Sequence, residues 1–352
     1  MLKIEHTICP ACSVGCGLNI ISKNDVVVGI NSYKNHKINE GKNCNNCTKF
    51  IDLFKNERKY INNYSKIIQN TVNLLKSKEN NKISLLISGN LNNEEIDTVI
   101  EFSKKQDYNI LAYEYNFTNI NSDIIATYDE IENATTIITV GDIYRNNPLI
   151  SRKIIQAKKN GCYTINIHNE KNLTAYNSDE FISIISYSKV INVLNSRKLT
   201  EDTIIIINTI DSPDIYEEIV ECVYEKNIKI LPILKHPNSY SLIKKVTPST
   251  IKELTNQIKK SEIVMLINEN PLKYLSSDIL DNKKIISLNT IQNEINSSEI
   301  FIPVKAWYEL NGSFTNSEGL TQEFIDTIQN KKTSLKSITE VIHEINDGLM
   351  GD

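Results

Sequence analysis

Seven cysteines occur among 352 residues, and five of them fall between positions 9 and 47. Cys9, Cys12, Cys16 and Cys44 stand as C-x2-C-x3-C-x27-C. A [4Fe-4S] cluster needs four thiolates around a cube, and three closely spaced cysteines wrap one side while a distant one closes the other. Gly15 and Gly17 flank Cys16, where a missing Cβ lets the backbone come close and turn its N–H groups toward sulfur. A zinc site pairing Cys9 and Cys12 with Cys44 and Cys47, C-x2-C-x31-C-x2-C, is the competing reading. It leaves Cys16 idle and spans a longer gap than zinc ribbons use. Unligated thiols are the third. Cys162 and Cys222 sit beside apolar runs and read as core residues.

The rest of the composition narrows the setting. With 40% hydrophobic and 23% charged residues and a net charge of -4, the chain has no basic excess to meet nucleic acid. No run approaches the ~20 apolar residues of a membrane span, and the opening MLKIEHTICP lacks the charged and apolar regions of a signal peptide. A cytoplasmic location follows as the expectation, and a reducing compartment disfavours disulfides and favours metal binding.

The elements that must position these cysteines are legible in outline. LNIISKNDVVVGIN (18–31) reads as two strands around an Asn24-Asp25 turn, with NHKINEGKNC returning to Cys44. Further on, helical stretches alternate with short β-branched runs at 82–88, 135–142, 162–168, 203–210, 228–234, 262–270 and 283–289. Continuous apolar strands separated by helices argue for parallel sheets covered on both faces, and this many strands argues for two of them. The expectation is an α/β protein: a small N-terminal [4Fe-4S] module (1–58) followed by two Rossmann-like doubly wound domains, one from 59–115 and 251–352, the other from 116–250. The segment 333–347 has a helical period, with Ser334 or Ser337 as N-cap.

Motif and spacing together resemble the N-terminal segment of molybdopterin oxidoreductases, particularly formate dehydrogenase catalytic subunits and the large iron–sulfur subunit of NADH:quinone oxidoreductase. SGNLNNEE (88–95) resembles the family segment that carries the metal-ligating cysteine or selenocysteine. GDIYRNNPLISRKIIQAKKNGCYTINIH (141–168) resembles the second nucleotide-type strand, loop and helix, and NENP (268–271) and EIFIPVKAWYELNGSFTNSEGLTQ (299–322) the late motifs near the pterin. The sequence stops about thirty residues after that last motif, as does the corresponding subunit of formylmethanofuran dehydrogenase, whose barrel domain is a separate polypeptide.

The resemblance implies a [4Fe-4S] cluster on Cys9, Cys12, Cys16 and Cys44. It also implies a molybdopterin guanine dinucleotide, with molybdenum or tungsten, near Ser88, Gly89, Asn90, Gly141, Asp142, Asn268, Glu269 and Asn270. Departures weigh against the second cofactor. Leu91 or a polar neighbour, Asn92 or Asn93, stands where relatives place the thiolate or selenolate; His168-Asn169-Glu170 replaces Asp-Pro-Arg; Asp142-Ile143-Tyr144 replaces an Asn-Pro loop; Asn46 replaces a lysine and Leu320 an arginine. Read without the family, NENP is a turn, NGSFTNSEG a polar loop, His168 a strand-end histidine and Asp142 a helix cap. The expected function is the iron–sulfur subunit of a formate or formylmethanofuran dehydrogenase-like complex. It would carry electrons beside a ferredoxin-like subunit and a separate barrel-domain subunit, with no catalytic residue of its own. The alternative is a non-enzymatic scaffold with structural zinc.

Overall fold

Three apolar runs set the architecture: ISLLI, TIIII and IVMLI are buried at every position. Strands without an exposed face can only lie inside sheets covered on both sides. The computed structural model describes residues 2–24, 26–47, 63–291, 299–328 and 335–351.

The chain opens with a three-stranded antiparallel sheet, β1 (Leu2–Ile8), β2 (Gly17–Lys23) and β3 (Val26–Ser32), in that order. β4 (Ile83–Ile87) and β5 (Asn109–Ala112) begin a first parallel sheet. β6 (Thr136–Val140), β7 (Tyr163–His168), β8 (Glu180–Ser183), β9 (Thr203–Ile207) and β10 (Lys229–Pro232) build a second. The chain then returns to the first sheet with β11 (Ile263–Ile267), β12 (Lys284–Asn289) and β13 (Ile300–Pro303). A ribbon of β14 (Gly312–Thr315) and β15 (Thr321–Phe324) follows, and then a helix, Ile338–Met350.

Strand order is β13-β12-β11-β4-β5 in the first sheet and β10-β9-β6-β7-β8 in the second. The order reverses between β11 and β4 in one and between β9 and β6 in the other. Loops leaving a parallel sheet diverge at such a switch point and open a crevice at the carboxyl ends of the strands. The α/β class, the parallel Rossmann-like sheets and the small N-terminal module are as the sequence indicates. Ser337 caps the last helix through a bond from the Glu340 N–H. The alternative cap, Ser334, the turn residue Asp25 and the boundary expected at 58 lie outside the described residues.

Candidate metal centre

The cysteine loop hangs between β1 and β2, closed at its neck by a bond from the Cys9 N–H to the Cys16 carbonyl (2.8 Å). Gly15 has φ of +80°, and a Cβ there would fall 2.2 Å from Gln322 Oε1, so no other residue fits this turn without displacement. Three separate parts of the fold then grip residues 13–15. Ser13 Oγ donates to the Leu234 carbonyl (2.7 Å) and shares a bond with Ser317 Oγ (2.6 Å). Tyr128 donates its hydroxyl to the Val14 carbonyl (3.0 Å), and Gln322 Nε2 donates to the Gly15 carbonyl (3.1 Å). Ser13 and Tyr128 are both buried, and buried polar groups so paired fix one geometry. The late motif around residues 312–322, expected near a pterin, thus holds the cysteine loop.

So held, Cys9, Cys12, Cys16, Cys44 and Cys47 line one small cavity with the apolar walls Val14, Leu18 and Leu149. Among the described residues no group of three or more His, Cys, Asp and Glu side chains is arranged to hold a single ion. Amide N–H groups aim at the sulfurs, that of Ala11 at Cys9, that of Val14 at Cys12, and those of Asn46 and Cys47 at Cys44. Such N–H···S bonds favour thiolates and tune a bound metal group. Burial pushes the Cys9 and Cys16 thiols well up and that of Cys12 to about 11, whereas the hydrogen bond from Cys47 brings Cys44 down to about 6. Cys47 also donates to the Cys44 carbonyl (3.1 Å). The first residues of the helix Pro148–Lys159 complete the wall, and the positive end of its dipole favours the negative charge that a thiolate cage carries. An all-sulfur donor set, a dry wall and inward N–H groups fit an iron–sulfur cluster.

Cys12 also faces a second, larger cavity of about 700 Å3, together with Ala11 and Asn46. This crevice lies where the carboxyl ends of both sheets meet. The first sheet contributes Tyr113 and Tyr115 after β5. Tyr115 and Asn116 both adopt left-handed backbone (φ of 51° and 71°), a strained turn for residues with side chains, and Asn116 Nδ2 reaches the Ile210 carbonyl of the other sheet (3.3 Å). The second sheet contributes Arg145, Asn147, Asn208, Thr209 and Lys235. Its two cations are accompanied by no carboxylate among the described lining residues, so the crevice favours an anion.

The residues expected to bind a pterin are placed as follows. Asn90 and Asn268 clasp each other across the first switch point, each side-chain amide reaching the other's carbonyl (3.4 and 3.3 Å). Ser88 Oγ accepts from the Asn90 amide (3.0 Å), and the Gly89 N–H donates to Glu114 (2.7 Å). Asn270 caps its own turn by accepting from the Leu272 N–H (3.0 Å), and Glu269 is buried with Oε2 unpartnered among the described atoms. Gly141, with φ of +104°, abuts Asn208 at the second switch point. Asp142 turns its carboxylate onto the Thr174 hydroxyl and N–H (2.8 and 3.2 Å) and caps the turn at Arg145. The first three and last three of these eight residues share one switch point, and Gly141 and Asp142 lie at the other; none of the eight is among the residues facing the large crevice. His168 folds back to accept from the Glu170 N–H (3.2 Å).

In the turn expected to match the family's metal-ligand segment, Leu91 is fully buried within the core of the first sheet. Asn92 caps the helix Asn93–Gln106 in a capping box with Glu95, and Asn93 donates to Ser313 and Thr315 (2.9 and 3.2 Å). Each asparagine already uses its carbonyl oxygen in the fold: that of Asn92 accepts from the Glu95 N–H (2.7 Å) and that of Asn93 from Asn238 (3.2 Å). Sequence reading did not reach Tyr113, Tyr115, Asn208, Lys235 or the buried Glu114–His236 pair (3.1 Å). Only the apolar runs ending at 210 and 234 pointed to these loops.

Residues 2–53 match the model of the molybdopterin oxidoreductase Fe4S4 domain. Over 213 residues the chain is 31% identical to the F420-dependent formate dehydrogenase subunit alpha of Methanocaldococcus jannaschii, covering 53% of this chain and 32% of that protein. It is 26% identical over 232 residues to the F420-dependent formate dehydrogenase 1 subunit alpha of Methanococcus maripaludis, covering 55% and 32%. The chain spans about a third of the length of these curated relatives. Among solved structures, acetylene hydratase from Pelobacter acetylenicus superposes with a TM-score of 0.70 at 9% identity, covering 98% of this chain and 69% of that one. A chain of the formyltransferase/hydrolase complex of Methylorubrum extorquens, solved with methylofuran, gives 0.54 at 9% identity, covering 83% and 98%. At such identities the likeness is one of fold. The N-terminal segment is a molybdopterin oxidoreductase Fe4S4 domain, and the chain is homologous to formate dehydrogenase alpha subunits. No helix among the described residues is long and apolar enough to cross a membrane.

Proposed function

We propose that this chain is the cluster-bearing subunit of a formate dehydrogenase-like redox complex. In this reading it holds one [4Fe-4S] on Cys9, Cys12, Cys16 and Cys44 and passes electrons without oxidising a one-carbon substrate by itself. The observation that carries the reading is the cysteine cavity, which all five N-terminal cysteines line and where backbone N–H groups bond the Cys9 and Cys12 sulfurs. A tetrahedral zinc would need its four ligands about 2.3 Å from one centre, whereas a cube spreads them over its corners. When bound, the cluster supplies one-electron chemistry; the chain's residues shape its cage and exclude water.

The second half of the reading is the absence of a thiolate at the expected metal position. Leu91 is packed into the core and its polar neighbours are engaged in caps, while molybdenum and tungsten in these relatives rely on a protein thiolate or selenolate beside the pterin sulfurs. The anion-favouring crevice suits a dinucleotide, including a pterin dinucleotide held jointly with a separate barrel-domain subunit. The division into a module (1–58) and two Rossmann-like domains (59–115 with 251–352, and 116–250) is part of this proposal, as are a ferredoxin-like partner and a cytoplasmic setting. The test is an anaerobic assay with formate and a viologen dye, on the isolated chain and on any complex it captures. We expect no turnover by the chain alone. Turnover by the isolated chain, with stoichiometric molybdenum or tungsten, overturns the reading.

A further inference from the structure

Lys235 lines the larger crevice that Cys12 also faces, and its backbone is held from both sides. Before it, Leu234 accepts from Ser13 Oγ (2.7 Å) and donates its N–H to Ser317 Oγ (3.3 Å). After it, the His236 N–H donates to Ser239 Oγ (3.0 Å) and the buried His236 ring bonds Glu114 (3.1 Å). Its anchors therefore include Ser13, the residue next to Cys12. The side chain itself is exposed in the crevice that Cys12 and Asn46 also line. Its ammonium lies 5.8 Å from the Tyr115 ring centroid, and among the described residues it forms no ion pair.

A fixed cation beside one ligand of a redox centre stabilises the state with the extra electron more than the state without it. We propose that Lys235 is a positioning residue that raises the reduction potential of a cluster held by Cys9, Cys12, Cys16 and Cys44, favouring the reduced state on the crevice side. The inference rests on the cluster reading above. Asn46 faces the same crevice without a charge, Arg145 and Lys235 are the cations among its described lining residues, and Lys42 lines the cysteine cavity itself; Lys235 is the one whose neighbour Leu234 is bonded to Ser13 beside Cys12. Because the side chain is open to solvent, its influence is screened by salt, with a Debye length of about 8 Å at physiological ionic strength.

The experiment uses the full chain and the variants K235M, K235Q and K235R, all prepared anaerobically. Iron and sulfide are counted first, and the cluster is then titrated with dithionite at low and high salt and followed by electron paramagnetic resonance. We expect full iron in all four proteins, an unchanged potential in K235R, and a more negative potential in K235M and K235Q, with the gap narrowing at high salt. Fully loaded K235M and K235Q titrating at the wild-type potential would overturn the inference and leave the cluster reading intact. Loss of iron in both neutral variants but not in K235R would assign Lys235 to holding the cluster, and would also overturn it. A wild-type chain that binds no iron would overturn the cluster reading itself.

Discussion

Two loops beside the crevice have met opposite fates. The cysteine loop, residues 9–16, satisfies its backbone through bonds to distant elements and leaves its thiols facing a cavity. The turn at 88–93 spends its polar groups on itself and its neighbours: Asn92 caps a helix, Asn93 ties the β14–β15 ribbon, and Leu91 sinks into the core. A loop positioned by others keeps its own donors for a ligand, whereas a loop that completes the local packing has none to give. On the proposed reading, the chain retains the electron-carrying half of a redox site and has closed the half that would hold a second metal.

The contrast breaks most sharply at the thiols. Cys16→Ser should reduce iron from about four per chain to near none, while Cys47→Ser should keep most of it; the reverse pattern, read by iron and zinc analysis, would restore the zinc pairing. At the closed turn, Leu91→Ala should destabilise the fold by about 2–5 kcal/mol through the cavity it leaves, with iron per folded chain unchanged in denaturant titrations. A fall in iron without a fall in stability would mean that Leu91 faces the cofactor after all.

The pH dependence of the closed turn sharpens the comparison further. Burial raises the Glu95 carboxyl from 4.5 to about 7, against the lowering pull of the Asn92 N–H. The fold therefore favours the protonated form, so this contribution is complete below about 4.5 and is lost as pH rises through about 7. Glu95→Gln should shrink the stability difference between pH 5 and pH 8 by on the order of 1–3 kcal/mol; equal thermal shifts in both proteins would refute the assignment. Smallest of all, Tyr128→Phe removes one bond to Val14 and should cost about 1 kcal/mol. It should also speed cluster loss in air, visible as faster bleaching of the brown colour, and an unchanged bleaching rate would show that the clamp does not protect the centre.

What the sequence disclosed and what it withheld follow from how local each signal is. C-x2-C-x3-C and the buried runs of β4, β9 and β11 are short-range patterns, and they announced the module and the parallel sheets. The four-residue strands β5, β8 and β13 carry too few residues to show a period. Ser13 and Ser317 meet across 304 positions and Glu114 and His236 across 122, and nothing in either neighbourhood names the other. NGSFTNSEG (311–319) reads as a polar loop because the purpose of this ribbon, to hold residues 13–15, lies at the far end of the chain. Asp142 was legible both ways, as a strand-end ligand or as a cap; in the fold its carboxylate bonds Thr174 and the Arg145 N–H.

The central claim, one cluster and no second metal, is tested most directly by measuring iron, acid-labile sulfide, zinc, molybdenum and tungsten in the wild-type chain purified under strict anaerobiosis. The expected result is about four irons and four sulfides per chain, with the other three metals far below stoichiometry. One zinc per chain without sulfide, or one molybdenum or tungsten per chain, would contradict it.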